Sequence, residues 1–386
     1  MKSIVAILAA GLLAGCAGPA ASPGVQGTST GGSPGPGAGG SGSAGQSLDP
    51  SLVPAGLIAY MRVDADKVER YFTVDSLGAN EHALFETTEC ACIRWSPDGS
   101  KLWTVTEAES SLYFTTLNPD GSDKVVHKPN IPTLKLVGAA GSSDGRHVAL
   151  FGWDDTDPSR LGIWTASPDL TGLRQVTGVP AGVEGIDPMG MSADGSYVYF
   201  HGDLGRSTEN GFHHAGNFYV IRADGTGLRQ LNPPGTKTES TGEGVSLDGG
   251  RVAFTAWQAG SASAGNALFI VDGPEAEARR VTDWTPNLWG ASWSASGDLI
   301  ALSQSYGGDA IASLIRPDGT GLRPIAPAGD SASSFGPTWT ADGAHFLVRR
   351  GTFHSNDLWI MDLEGHYIWQ VTHKPGSHDV YGWQPG

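Results

Sequence analysis

The side chains able to do chemistry lie in a few short stretches. Asp154, Asp155 and Asp157 are close enough along the chain to share a hard cation such as calcium, which takes about six to eight oxygen ligands. No turn glycine and no downstream glutamate completes a recognised loop there. His213 and His214 are adjacent, and neighbours on an extended chain point to opposite sides. A zinc or manganese site would therefore join one of them to His201, His354 or His378. Cys90 and Cys92 stand two apart, so on a strand both thiols face the same way with α-carbons about 6.6 Å apart, at the far end of the bridgeable range. They read as a local disulfide or as two buried thiols. The GxSxG spacing occurs in the folded part only as Gly141 to Gly145, inside a repeated turn, and no hydrolase-sized segment accompanies it, which excludes a hydrolase of that type. Nothing in the pattern calls for a cofactor.

What these residues can do depends on the elements that carry them, and one pattern decides those elements. It reads WSPDG from Trp95, GSSDG from Gly141, MSADG from Met191, VSLDG from Val245, WSASG from Trp293 and WTADG from Trp339, and ends as WQPG from Trp383. The leading residues are 46, 50, 54, 48, 46 and 44 apart, a repeat of about 48 residues. In each copy a short strand enters, and Asp-Gly reverses the chain because glycine accepts the positive φ of a tight turn. An alternating strand follows, such as Tyr197 to His201, then one rich in aromatic and β-branched residues, such as Asn217 to Ile221. A second turn, DGTGLR at both Asp224 to Arg229 and Asp318 to Arg323, leads into a fourth.

Four strands at this period make one blade of a β-propeller. Before Cys90 there are three strand-like pieces and no first strand, whereas Asp379 to Trp383 is a first strand with nothing after it. Together they complete a blade, which predicts an all-β, seven-bladed propeller closed by the C-terminal strand. Six blades with unpaired ends is the alternative. Closure removes the exposed sheet edge that would template aggregation.

S-x-D-G with Trp before it, and strand ends such as RQVT, RQLN and WQVT, resemble the WD40-like repeats of TolB-type propellers over nearly all of residues 57–386. Two departures are Ser296 in place of Asp and the loss of Asp from the last copy. The resemblance implies architecture more firmly than activity, since such propellers serve as binding scaffolds, as gates on peptidases and occasionally as enzymes.

The N-terminus is a targeting segment. Lys2 precedes an apolar run from Ile4 to Leu13, too short to span a bilayer about 30 Å thick, and Leu13, Ala14, Gly15 and Cys16 follow. This LAGC stretch resembles a bacterial lipobox, which implies a signal peptide over 1–15 and lipidation of Cys16. Residues 16–48 continue as Gly, Ser, Ala, Pro and Thr almost without large apolar side chains, a tether with an end-to-end distance of about 30 Å. The folded part is expected over 49–386. With 40 acidic residues against 24 Lys plus Arg, the net charge is −16, which argues against a nucleic-acid partner.

Blade topology sorts the loops onto two faces. All Asp-Gly turns share one; the longer second-to-third loops and blade-to-blade connections share the other. That irregular face collects Asp154, Asp155, Asp157, Arg206, Glu209, His213, His214 and Trp257 from loops, and Glu184, Asp187, Glu243, Trp289, His378 and Asp379 from connections. These form the candidate ligand-binding face. The tryptophans that precede the turns are expected to pack between blades, while Trp153, Trp257, Trp284 and Trp289 are expected nearer the surface. The expectation is a tethered scaffold in the cell envelope, in the outer membrane and periplasm or at the cell surface, held by its lipid and binding a protein, peptide or glycan. The alternative is a metal-dependent enzyme such as a polysaccharide lyase. An acidic rim with only Arg206 and Lys135 nearby disfavours an anionic sugar.

Overall fold

The computed structural model describes residues 48–87, 93–108, 111–183, 185–203, 215–239, 244–260, 265–284, 288–306, 309–325, 333–352 and 354–385. The repeated turn shows why its residues recur. Ser96 Oγ donates to Asp98 Oδ1 at 2.6 Å, the same carboxylate oxygen accepts the Ser100 N–H at 3.1 Å, and Ser96 Oγ accepts the Lys101 N–H at 2.9 Å. The network returns at Ser142 and Asp144, Ser192 and Asp194, and Ser246 and Asp248. The glycine that closes each turn sits at φ between 65° and 72°, at Gly343 and, after Ser296, at Gly297 as well. Where Ser296 replaces Asp the contacts lengthen to 3.3 Å and 3.4 Å.

Around these turns the strands form antiparallel sets in chain order. Leu134–Gly141, Val148–Asp154, Gly162–Ala166 and Arg174–Gly178 make one four-stranded sheet, and Arg94–Trp95, Leu102–Ala108, Ser111–Leu117 and Val125–Val126 another. The sets from Gly185–Met191 to Arg229–Gln230 and from Gly244–Val245 to Ala278–Arg280 are joined by Thr236–Glu239, a strand not anticipated from the repeat. Those from Leu288–Trp293 to Arg323–Pro324 and from Ser334–Trp339 to Tyr367–Gln370 meet through one parallel pairing, Ile311 with Ser334. The last sheet is composite: Ser377–Trp383 lies antiparallel to Leu57–Val63, followed by Glu69–Asp75 and His82–Thr87.

The first strand of each set is its inner strand. The strands starting at Leu134, Gly185, Gly244, Leu288, Ser334 and Ser377 contact one another in that order, Ser377–Trp383 then touches Arg94–Trp95, and the set begun there touches Leu134–Gly141. The chain thus curls back on itself. Most inner strands carry a register shift at the same height, at Gly138, Met189, Gly290 and Ala291, Gly336 and Pro337, and Tyr381. Such bulges raise the local twist.

The apolar core lies between neighbouring sheets. One cluster combines Phe151, Trp153, Ile163 and Val176 with Ile186, Val198, Phe200 and Ile221 of the next set. Another joins Leu347, Leu358 and Ile360 to Ile58, Tyr60, Val74 and Trp383 across the closing seam. Each such side chain contributes about 1.5–3 kcal/mol on burial. The turn tryptophans pack between sheets as expected, and they also reach the preceding inner strand: Trp293 Nε1 donates to Gly244 O at 3.0 Å and Trp339 Nε1 to Ser292 O at 2.9 Å. No helix among the described residues is long and apolar enough to cross a membrane.

Candidate functional site

The loop that follows Val148–Asp154 is built around one carboxylate. Asp154 is buried and accepts from Thr133 Oγ1 at 2.6 Å, Thr156 N at 2.8 Å, Thr156 Oγ1 at 2.6 Å and Arg160 Nη1 at 2.6 Å. Burial alone would raise its pKa, but these bonds outweigh that and hold it far below the usual carboxylate range. Asp155 pairs with Lys135 at 2.6 Å, and the ammonium also lies 5.7 Å from the Trp153 ring centroid. Asp157 caps the short 3-10 turn Pro158–Arg160 by accepting from Ser159 N at 3.1 Å. The idea that these three share a cation is corrected by this geometry. All three carboxylates are engaged by protein donors, with Arg160 bridging Asp154 and Asp157 and Lys135 on Asp155, and no group of three His, Cys, Asp or Glu side chains among the described residues could hold a metal.

Equivalent positions of the repeat stand at one height around the axis. Four residues before the turn's leading residue these are Val137, Asp187, Trp289, Phe335 and Asp379, one per inner strand. Asp379 is neutralised by Arg349, whose guanidinium lies 4.5 Å from the Phe335 ring centroid and ion-pairs with it. Burial pulls the Arg349 pKa down to about 10, so the group stays charged at neutral pH. Asp187 has no hydrogen bond or ion pair among the described residues; enclosure by protein raises its carboxyl pKa, opposed by the charge of Arg94. The indole N–H of Trp289 is likewise unpartnered.

His378 is fully buried rather than displayed on the face. Its Nδ1 bonds the carbonyl of Asn356, which only accepts, so Nδ1 carries the proton and Nε2 is a bare acceptor without a partner. Its cross-strand neighbour Arg62 is also buried, pairs with Asp64 at 2.9 Å, and leaves Nη1 without a hydrogen bond. His201 is buried with Nε2 3.4 Å from Thr238 O. Trp257 is a correction: only 2% exposed, it is enclosed between Lys237 and Asn266 on adjoining strands, so it is core and not surface. Trp153 is buried too, while Trp289 is half-buried. Glu184, Arg206, Glu209, His213, His214 and Glu243 lie outside the described residues, as do Cys16, Cys90 and Cys92.

Reading the sequence by composition misses Arg349, Arg62 and Arg94. A signal was available for the first. Aligned by the repeat, Phe151, His201, Ser303, Arg349 and Met61 share the position facing that inner row, and a charged side chain among them marks an internal pair.

No protein-family model matches the sequence, and no curated protein matches it. Solved structures do match. TolB from Acinetobacter baumannii superposes with a TM-score of 0.51 at 13% identity, covering 86% of this chain and 68% of that one. The fold is a TolB-like β-propeller. The propeller domain of the trilobed protease from Pyrococcus furiosus, described as having an open velcro topology, gives 0.54 at 12% identity, covering 82% of this chain and 92% of that one. In this propeller the corresponding ends are paired. An oligogalacturonate lyase in complex with manganese gives 0.55 at 14% identity, covering 81% and 82%. Identities this low convey the fold alone. The histidines within the propeller's described residues are not gathered as a metal would require: His201 and His378 are turned to backbone carbonyls on separate sheets.

Proposed function

We propose that this chain is an exported, lipid-anchored, seven-bladed propeller that acts as a binding scaffold in the cell envelope, with its irregular face toward a protein, peptide or glycan. The LAGC stretch and the tether over 16–48 support the anchor. The pairing of 377–383 with 57–63, and the circuit of inner-strand contacts, support the blade count. One observation carries the binding role: the rim carboxylates are already locked by internal donors, Asp154 by Thr133, Thr156 and Arg160, and Asp155 by Lys135. A carboxylate held this way is a poor base, but a fixed pattern of charge is what recognition of a complementary surface uses.

Two measurements test this. Cys16→Ser releases the protein from the membrane fraction if the anchor is real; unchanged membrane association refutes it. A photo-cross-linking residue at position 155, in cells, yields a discrete adduct that the same residue at position 224 on the Asp-Gly face does not. Equal labelling at both positions, or none at 155, refutes the face assignment.

A further inference from the structure

Leu52, Leu77, Val125, Leu228, Leu247 and Leu322 are 38–62% exposed, and with Leu48 they are the large apolar side chains most open to solvent among the described residues. All of them stand at one end of the strands. In five sets the first residue of the second strand pairs with the last of the third: Leu57 with Asp75, Leu102 with Leu117, Tyr197 with Arg222, Val252 with Val271 and Ile300 with Ile315. That end is the Asp-Gly face. Leu77, Val125, Leu228 and Leu322 follow third strands that finish there, and Leu247 lies inside the turn closed by Ser246 and Arg251. Leu52 belongs to the 3-10 turn Pro50–Leu52 that leads into Leu57, where Gly56 O accepts from Ser76 N at 3.0 Å. Leu48, where the tether read over 16–48 joins the folded part, is on the same face.

Single exposed leucines are ordinary on a protein surface; their collection at one level is not. They are spread around the ring with polar turns between them, so they do not form the contiguous patch that a protein partner would bury. Separate apolar points at one height fit a flat, fluid surface whose molecules rearrange around each. We infer that the Asp-Gly face rests on the lipid surface that holds Cys16, with these leucines in the headgroup layer and the irregular face turned away from it, toward the partner. This orientation rests on the lipid anchor at Cys16. A flexible tether of about 30 Å keeps the face at an effective concentration on the order of a millimolar beside the bilayer, so even weak contact is populated. Each leucine contributes in proportion to the apolar area it removes from water. Beside them Asp224, Asp248 and Asp318 accept from their own turns and keep their charge at the face, so the surface that fits is zwitterionic rather than strongly anionic lipid.

The test places the full lipidated chain in vesicles of phosphatidylethanolamine and phosphatidylcholine that carry a diazirine phospholipid, and maps lipid adducts by mass spectrometry after illumination. Adducts near Leu48 would follow from the tether alone. The decisive positions are Leu228 and Leu247, on sets three steps from the closing seam in either direction along the circuit of inner strands. Adducts on peptides bearing these two are expected to exceed those on the peptide bearing Asp155 by about tenfold or more. This comparison of faces needs no mutation. Leu228→Glu combined with Leu247→Glu, at exposed positions and verified by an unchanged melting profile, should lower that excess by about tenfold. Equal labelling of the two faces, or labelling confined to the root of the tether, would overturn the inference and leave the anchor standing. A Cys16 peptide without lipid mass would overturn the anchor and the inference together. Dimerisation of the Cys16→Ser chain in vesicle-free solution, abolished by the two glutamates, would assign the face to a second copy and overturn the inference as well.

Discussion

The indole N–H of Trp95 donates to the carbonyl oxygen of Gly382 at 3.1 Å, across 287 residues of chain. The same bond runs from Trp293 to Gly244 and from Trp339 to Ser292, each time from the residue that leads a turn to the carbonyl just before the leading residue of the preceding set. At Trp95 the preceding set is supplied by the far end of the molecule. The tie that elsewhere links neighbours in sequence here links the two ends of the folded chain. Gln384 reinforces it, donating from its side chain to Gly99 O at 2.8 Å and from its backbone to Leu57 O at 2.8 Å.

Removing the N–H while keeping an aromatic ring isolates this bond. Trp339→Phe is expected to lower unfolding free energy by about 1–2 kcal/mol, the value of one hydrogen bond plus an unsatisfied Ser292 carbonyl. Trp339→Ala should cost about 3–5 kcal/mol because it also opens a cavity. Truncation after Gly376 removes the clasp strand and uncovers Ile58, Tyr60 and Leu347. Urea titration should then show a broad transition in place of a cooperative one, and an unaltered transition would contradict the clasp.

Asp154 and Asp155 are neighbours with different roles. Asp154→Ala leaves the Arg160 guanidinium with Asp157 as its remaining partner and removes the acceptor of the Thr133 and Thr156 hydroxyls, with an expected loss of about 2–3 kcal/mol. Asp155→Ala breaks a pair that is half in solvent and should cost less than about 1 kcal/mol. Millimolar calcium should leave the melting temperature unchanged in the parent protein. A calcium-dependent rise that Asp154→Asn abolishes would restore the shared-cation reading.

The repeat told most of the architecture in advance because its turn chemistry is local. Ser, Asp and Gly at fixed spacing satisfy their own backbone, so their positions imply hairpins, and hairpins at a period of about 48 residues imply blades. Trp257 and His378 were not legible in the same way. Each stands at a strand end, where sequence alone cannot tell a loop tip from the last buried pair; Thr236–Glu239 adds a strand that covers Trp257, and Asn356 takes in His378. Arg349 was missed because its partner Asp379 is 30 residues away and belongs to the closing strand.

Ser296 offers a gain of stability. Among the copies that keep S-x-D-G, the Asp oxygen accepts both the Ser hydroxyl and a backbone N–H. At Ser296 the equivalent contacts are 3.3 Å and 3.4 Å. Ser296→Asp should therefore stabilise the fold by about 0.5–1 kcal/mol, the contribution of a tightened turn bond. The reverse change, Asp248→Ser, should destabilise by a similar amount. Thermal melts of both variants check this, and a drop on Ser296→Asp would show that Asp298 repels the new carboxylate.

His378 gives the closing seam a pH dependence with a definite sign. Around it stand Arg62 on the paired strand, Asp64 beyond that strand, Asn356 and Asp357 on the neighbouring blade, and Tyr60, whose ring centroid is 5.8 Å away. Burial lowers the imidazole pKa below its ordinary value of 6.5; the Asn356 carbonyl and Asp357 push the other way without overcoming it. The folded chain thus prefers neutral His378, whereas the unfolded chain protonates near 6.5. This contribution is fully present above that value. As pH falls below 6.5 the unfolded state takes up the proton first, and stability declines by at most about 1.4 kcal/mol per pH unit until the folded pKa is reached. Other titrating groups cancel when the parent is compared with His378→Gln, which keeps a polar side chain that does not titrate. The difference in urea-derived stability between the two should shrink steadily from about pH 7 to about pH 5. A difference independent of pH would mean that His378 is not held neutral at the seam.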